Sequence, residues 1–435
     1  MWLHGIRQFG VFLGAALSLV ASVRGQASFQ GLGDLAGGSF HSEASGVSAD
    51  GSVVVGCSHS TLGYEAFRFT VGGSMAGLGD LGGWIFQSEA YGVSSAGTVI
   101  VGLSSASSGF GFEAFRWTAG GMVGLGYLPD RSAGSQAFDI SDDGSVVVGW
   151  SYASASDAEA FRWTAGSGMV GLGDLDTSSY KSIAYGISAD GLVVVGRGSL
   201  ASGDEEAFRW TSGTGMVGLG DLDGGTYNSE ARAASADGAV IVGWGTADEG
   251  KEAFRWTAGS GMAGLGDLPG GVYRSGAEAV SADGSIVVGS SRTSALGDEA
   301  FVWDASNGMR HLGGVLTDVF DLDLTDWTLN EATGISIHGG VVTIVGSGTN
   351  PAGHPEAWMA RYPVVPADFN KDGDVDADDL GYFQACVTGP TIALDDPDCE
   401  DADLDGDGDA DQVDFGMFQR CYSGQSIQAN LGCTD

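Results

Sequence analysis

The sequence predicts an all-β chain of seven four-stranded repeats followed by a small helical domain rich in aspartate. Three observations carry this. Two different markers each recur seven times at nearly constant spacing, Gly-rich turns separate short β-branched runs, and the composition changes abruptly after Pro366. A chain of 435 residues also exceeds what one core usually holds. Its 76 glycines show no three-residue period, which excludes collagen, and 43% hydrophobic residues is too many for a disordered chain.

The net charge of -38, with lysine only at Lys181, Lys251 and Lys371, repels nucleic acid and anionic lipid, so neither is an expected partner. Residues 1–25 carry an Arg near the start, an apolar run from Phe9 to Val20, then the small residues Ala21, Ser22 and Gly25. This is the layout of a signal peptide, too short to span a bilayer comfortably, with cleavage expected after Gly25 or Ala27. No later segment is a transmembrane candidate. The expected location is secreted, cell-surface or periplasmic.

From residue 29 to 362 the chain is an array. Gly-Leu-Gly-Asp-Leu or a relative starts at Gly31, Gly77, Gly124, Gly171, Gly218, Gly264 and, degenerately, His311, in steps of 46, 47, 47, 47, 46 and 47. Glu-Ala-Phe-Arg-Trp or a relative starts at Glu65, Glu113, Glu159, Glu206, Glu252, Glu299 and Glu356. Each repeat reads as four strands: Ala-x-Gly-Val-Ser, then Ser-Val-Val-Val-Gly, then the Glu marker, then Gly-Met-Val-Gly-Leu-Gly-Asp-Leu. No stretch of the array has helical periodicity.

Four strands in some 47 residues match a β-propeller blade and are too many for one coil of a β-helix. The array opens with a lone fourth strand, Phe29 to Leu35, and ends with strands one to three, finishing at Glu356 to Tyr362. Pairing the two fragments removes both exposed edges and closes a seven-bladed β-propeller with the N-terminal strand. Ala44, Ala90, Ala137, Ala184, Ala231, Ala277 and Ala332 share one place in the first strand, where a crowded ring admits only small side chains. These residues resemble the extracellular HAF repeat family of bacterial exported proteins, which supplies no catalytic residue to carry over.

Within the array, the Glu marker is followed three residues later by Arg68, Arg116, Arg162, Arg209 and Arg255, and by Val302 and Met359 in the last two copies. A buried, hydrogen-bonded latch repeated between blades is the reading of this pair, since catalysis needs one special site and not seven equal ones. Departures from the repeat make better site candidates. Gln136, Ile183 and Gly276 replace the Glu found at Glu43, Glu89, Glu230 and Glu331, while Arg232 and Glu278 stand where other copies have Ser45, Tyr91 or Tyr185. The histidines show no zinc spacing, and no catalytic residue is assigned. Cys57 reads as a packing residue.

After a linker, residues 363–366, the tail at 367–435 holds two twelve-residue loops. The first places Asp368, Asn370, Asp372, Asp374, Asp376 and Asp379 at positions 1, 3, 5, 7, 9 and 12, with Gly373 at position 6. The second places Asp403, Asp405, Asp407, Asp409, Asp411 and Asp414 likewise, with Gly408 at position 6. That is the oxygen ladder of an EF-hand loop, so two Ca²⁺ ions are expected, with a backbone carbonyl supplied from position 7. Prolines obstruct an entering helix, but helical stretches follow at 380–386 and 415–421. Loop then helix, twice, resembles the dockerin module, and the resemblance implies a cohesin-like partner. Positions 10 and 11, where dockerins often carry hydroxyls, are here Ala377, Asp378, Gln412 and Val413. Four tail cysteines allow three pairings, and their spacing favours Cys386–Cys399 and Cys421–Cys433.

The function expected from these readings is an exported calcium-binding interaction or structural protein, its propeller presenting a surface to an extracellular protein or polysaccharide and its tail docking or anchoring it. The alternative is a secreted carbohydrate-active hydrolase carried by a dockerin.

Overall fold

The computed structural model describes residues 27–106, 111–129, 134–152, 157–176, 181–293, 297–365, 367–369, 374–392, 394, 399, 402–405, 407–425 and 433. The expected signal peptide lies outside them, as do Asn370 and Asp372.

Each repeat folds as an antiparallel meander. In the first, Gly37–Val47, Val53–Ser60, Tyr64–Thr70 and Met75–Gly77 are hydrogen-bonded in that order. The β-branched second strand is covered on both faces, and Val53, Val54 and Val55 are no more than 1% exposed. From the third strand, Phe67 is completely buried, as are Phe115, Phe161, Phe208, Phe254, Phe301 and Trp358 at the same place in later repeats. The same order begins again at Ser88, Ser135, Ile183, Gly224 and Ser275. A parallel bridge between Glu205, at the start of a third strand, and Asn228 of the following first strand joins two of these sheets.

The remaining sheet draws on both ends of the array. Ser28–Gly31 pairs antiparallel with Pro355–Pro363, Phe29 opposite Ala360 and Gly31 opposite Trp358. Val341–Thr349 and Thr328–His338 complete it. The first strands of successive sheets touch in order from Gly37–Val47 onward, and Thr328–His338 touches Gly37–Val47. The row of sheets therefore returns on itself, which is the arrangement of a β-propeller.

The Glu marker explains the Gly-Leu-Gly marker. Glu65 Oε1 accepts the N–H of Gly79 at 3.0 Å. Glu113, Glu159, Glu206 and Glu252 accept from Gly126, Gly173, Gly220 and Gly266 in the same way, at 2.8–3.1 Å. Across the closure, Glu356 accepts from Gly33 at 2.9 Å. A Cβ on the first glycine, Gly77, would fall on the Glu65 carboxylate, and the second, Gly79, has φ +79°. That turn also ends the fourth strand early, so Gly168–Gly171 stops short of the expected Gly-Asp-Leu.

A serine missed by the sequence reading locks each latch to the next sheet. Ser88 accepts from Ala66 N at 2.9 Å and donates to Gly79 O at 2.6 Å. Ser135, Ser182, Ser229 and Ser275 repeat this, and Ser42 does it across the closure with Ala357 and Gly33. The Glu and the Arg act separately: three residues apart on a strand, the two side chains leave opposite faces. Arg68 donates to Gly97 O of the next sheet at 3.3 Å, and Arg116 to Gly144 O at 3.4 Å, links between sheets of the kind expected of this marker.

The array is not free of helix. In the degenerate copy, Leu312–Gly314 and Val315–Val319 coil where Leu-Gly-Asp-Leu would run, burying Leu312, Val315 and Leu316 against Trp358 and Tyr362. Glu299, in the copy where His311 replaces the first glycine, pairs with His311 Nδ1 and Thr293 Oγ1, both at 2.8 Å. Cys57 is a buried free cysteine whose thiol is pushed up by burial first and then by Glu89 and Glu43, so it stays a packing residue.

Gly77→Ala should displace the Glu65 carboxylate and cost about 1.5–3 kcal/mol, the worth of a charge-assisted hydrogen bond. Gly79→Ala, with open space but a left-handed backbone, should cost about 1–2 kcal/mol. Urea denaturation measures both, and a neutral Gly77→Ala would remove the latch from this account.

Candidate functional site

Two places in the molecule gather chemistry, the acidic tail and the axis of the ring. In the tail the helices are Ala377–Cys386 and Gln412–Cys421. Both start three residues earlier than the expected 380 and 415, because Asp376 and Asp411 act as N-caps. Each belongs to a capping box. Asp376 accepts from Asp378 N at 2.8 Å while Asp379 accepts from Asp376 N at 2.8 Å, and Asp411 and Asp414 do the same with Val413 N and Asp411 N at 2.7 Å.

The two halves exchange bonds symmetrically. Val375, at position 8 of the first loop, accepts from Ser423 N at 2.9 Å, just past the second helix. Ala410, at position 8 of the second, accepts from Thr388 N at 3.0 Å, just past the first. Between them Phe369, Phe383 and Phe418 stack with centroids 5.7–6.4 Å apart in a core that includes all four tail cysteines. The disulfides are the expected local ones, Cys386–Cys399 and Cys421–Cys433, with Cα atoms 5.3 and 4.8 Å apart.

The caps fix the direction of the acids. Carboxylate oxygens of Asp374, Asp376 and Asp379 lie within 4.8 Å of one another, as do those of Asp403, Asp405 and Asp414, and those of Asp409, Asp411 and Asp414. Asp379 and Asp414, at position 12, are wholly buried. Asp368 is buried at position 1 of the first loop. In the second, Asp403 receives Asp407 N at 3.1 Å and Gly408 N at 2.8 Å, so the turn at position 6 folds back onto position 1. Gly408 has φ +94°, as that turn requires. Asp409 carries a buried Oδ1 with no hydrogen-bond partner, and desolvation together with Asp414, Asp407 and Asp403 holds Asp405 above the usual carboxylate range. A hard cation taking oxygen ligands fits this donor set.

The axis of the ring is a channel of about 300 Å³, lined by the first strand of every sheet. Around one level stand Ser45, Tyr91, Phe138, Tyr185, Arg232, Glu278 and Thr333. The departures noted in the sequence, Arg232 and Glu278, are thus neighbours here. Arg232 lies 4.6 Å from the Tyr185 ring centroid, 2.7 Å from Glu230 and 3.7 Å from Glu278. Glu230 also meets Arg197 at 3.3 Å. Burial, then Glu278, pushes Glu331 up to about 7 against the opposing charge of Arg232. Of the other departures, Gln136 accepts from Trp150 Nε1 at 3.3 Å, while Ile183 and Gly276 pair with Arg197 and Ser290.

The solved structures most like this chain contain propellers. These include TolB from Acinetobacter baumannii, at 12% identity over 77% of this chain and 80% of that one, with TM-score 0.39. The β-propeller domain of the Trilobed protease from Pyrococcus furiosus gives 9%, 74%, 98% and 0.41, and prolyl oligopeptidase B from Galerina marginata 10%, 70%, 46% and 0.42. At such scores they carry no argument about activity or partner. No family model and no curated protein matches the chain. Among the described residues, no helix is long and apolar enough to cross a membrane.

The cap at Asp411 and the ligand role expected of it can be tested apart. Asp411→Ser keeps an N-cap and removes a carboxylate, so helix content by circular dichroism should hold while calcium affinity falls. Asp411→Ala should lose both, at a further cost of about 1 kcal/mol in tail stability. Equal behaviour of the two variants would deny the cap its role.

Proposed function

We propose that the chain is an exported, calcium-binding interaction or structural protein. A seven-bladed propeller of HAF-type repeats, residues 29–362, serves as binding scaffold for an extracellular protein or polysaccharide. A dockerin-like module, residues 367–435, follows the linker 363–366 and docks or anchors it, with a cohesin-like protein as the corresponding partner. The closed row of sheets and the pairing of Ser28–Gly31 with Pro355–Pro363 support the ring.

One observation carries the calcium reading: in both halves, the acids at positions 9 and 12 are aimed by the start of a helix toward their neighbours. Carboxylates packed this closely repel one another, and a divalent cation relieves that repulsion only in the folded loop. Binding is then folding energy. At free calcium about a hundredfold above its dissociation constant, each site adds about 2.7 kcal/mol. Magnesium, which demands a smaller octahedral shell and keeps its waters, substitutes poorly.

Calorimetric titration of the mature chain should find two calcium sites. Asp372→Ala should lose one and Asp407→Ala the other, and chelator should melt the tail while the ring's thermal transition stays. A tail that folds fully in excess chelator, or takes up no calcium at millimolar levels, would refute the metal assignment.

A further inference from the structure

The ring level of the channel is chemically lopsided. Tyr91, Phe138 and Tyr185 form a continuous aromatic arc, with centroids 5.5 and 5.0 Å apart. One end of that arc already holds a cation, since Arg232 sits over Tyr185 and is tied to Glu230 and Glu278. At the other end the ring positions are Ser45 and Thr333, whose small side chains leave open the space that Tyr, Phe or Arg fills elsewhere.

Acidic groups stand two residues before that level on the strands of Ser45, Tyr91 and Thr333. Glu89 accepts from the Tyr91 hydroxyl at 2.6 Å and from Gln87 Nε2 at 3.0 Å, and among the described residues it has no salt bridge. Glu331, in the strand of Thr333, has none either, and its electrostatic neighbours include Glu278, Arg232 and Glu43. Glu43 pairs with His41 at 3.3 Å. Below this level the wall turns aliphatic, with Val47, Val93, Ile140, Ile187, Val280 and Ile335. The far end is narrowed by backbone bonds from turn to turn, Asp142 N to Ala189 O at 3.0 Å and Ala189 N to Ala236 O at 3.0 Å among them.

We propose that the channel binds a small organic ammonium, its charge between the Tyr91 face and the Glu43, Glu89 and Glu331 side and its aliphatic body against the girdle below. Arg232 over Tyr185 is the internal counterpart of this contact. A cation on an aromatic face beside carboxylates is favoured most where water is excluded. An anion would meet the surplus of acid, and a bare metal ion would face aromatic rings and aliphatic side chains over most of the cavity. The inference rests on the reading of the ring as a binding scaffold.

The test uses the full mature chain with calcium present, titrated calorimetrically with choline and with its uncharged isostere 3,3-dimethylbutan-1-ol. Choline should bind at least about tenfold more tightly, the advantage a cation–π contact with nearby carboxylates confers. Glu89→Gln should weaken choline and leave the alcohol unchanged. Ser45→Tyr places at a ring position the residue its neighbours carry, so the ring should fold with an unaltered thermal transition and lose choline. Equal binding of the two probes, no saturation by choline at tens of millimolar, or undiminished binding to Ser45→Tyr would each overturn the proposal. A protein or polysaccharide partner captured by a chain that ignores choline would overturn the channel site and leave the scaffold reading standing.

Discussion

One contact sets the rest of the ring: a third-strand carboxylate receiving the backbone N–H of the glycine that ends its own sheet. It dictates the composition of the repeat. The first glycine of Gly-Leu-Gly leaves room for the carboxylate, the second supplies both a left-handed turn and the donor, and the carbonyl of that second glycine then takes a serine hydroxyl from the following sheet. Each latch therefore holds a strand end and hands the chain to its neighbour. Polar groups that would be costly to bury unpaired are satisfied in a chain of bonds running from sheet to sheet. The closing contact is the same one, made between residues 323 apart in sequence.

Much of this was legible in the sequence because repetition multiplies a weak signal. The phase of the array exposed the closing strand, and the spacing of Cys386, Cys399, Cys421 and Cys433 exposed the disulfides. What stayed hidden depends on three-dimensional direction. The Glu marker was read as a latch between sheets without its acceptors and donors, and the pleat sends its Arg68 to Gly97 of the next sheet while Glu65 takes Gly79. Ser88 lies in a different repeat from Glu65, and only sheet stacking joins them to one glycine. The helical turn at Leu312 belongs to the copy in which His311 replaces the first glycine. In the tail, Asp376 and Asp411 were read as ligands alone, and their use as caps moved both helix starts.

The same logic separates framework from function. Latch, serine and buried Phe occupy the faces between sheets, where six of the copies carry the same residue. The positions facing the axis carry no such demand, so Ser45, Tyr91, Phe138, Tyr185, Arg232, Glu278 and Thr333 are free to differ. Arg232 and Glu278 were visible as departures, yet their convergence with the Tyr91 to Tyr185 arc comes only from closing the ring. The tail works by the opposite rule: there the framework groups are themselves the acids, since Asp376, Asp379, Asp411 and Asp414 make the capping boxes.

Amide hydrogen exchange at the latch glycines tests the central claim most directly. Gly33, Gly79, Gly126, Gly173, Gly220 and Gly266 should all exchange slowly, at the pace of global opening, because each N–H is held by a carboxylate inside a closed ring. Gly33 decides the matter, lying five residues past the start of the closing strand Ser28–Gly31. Protection of Gly33 equal to that of Gly126 is the result this account predicts, and exchange at the rate of a free terminus would contradict it.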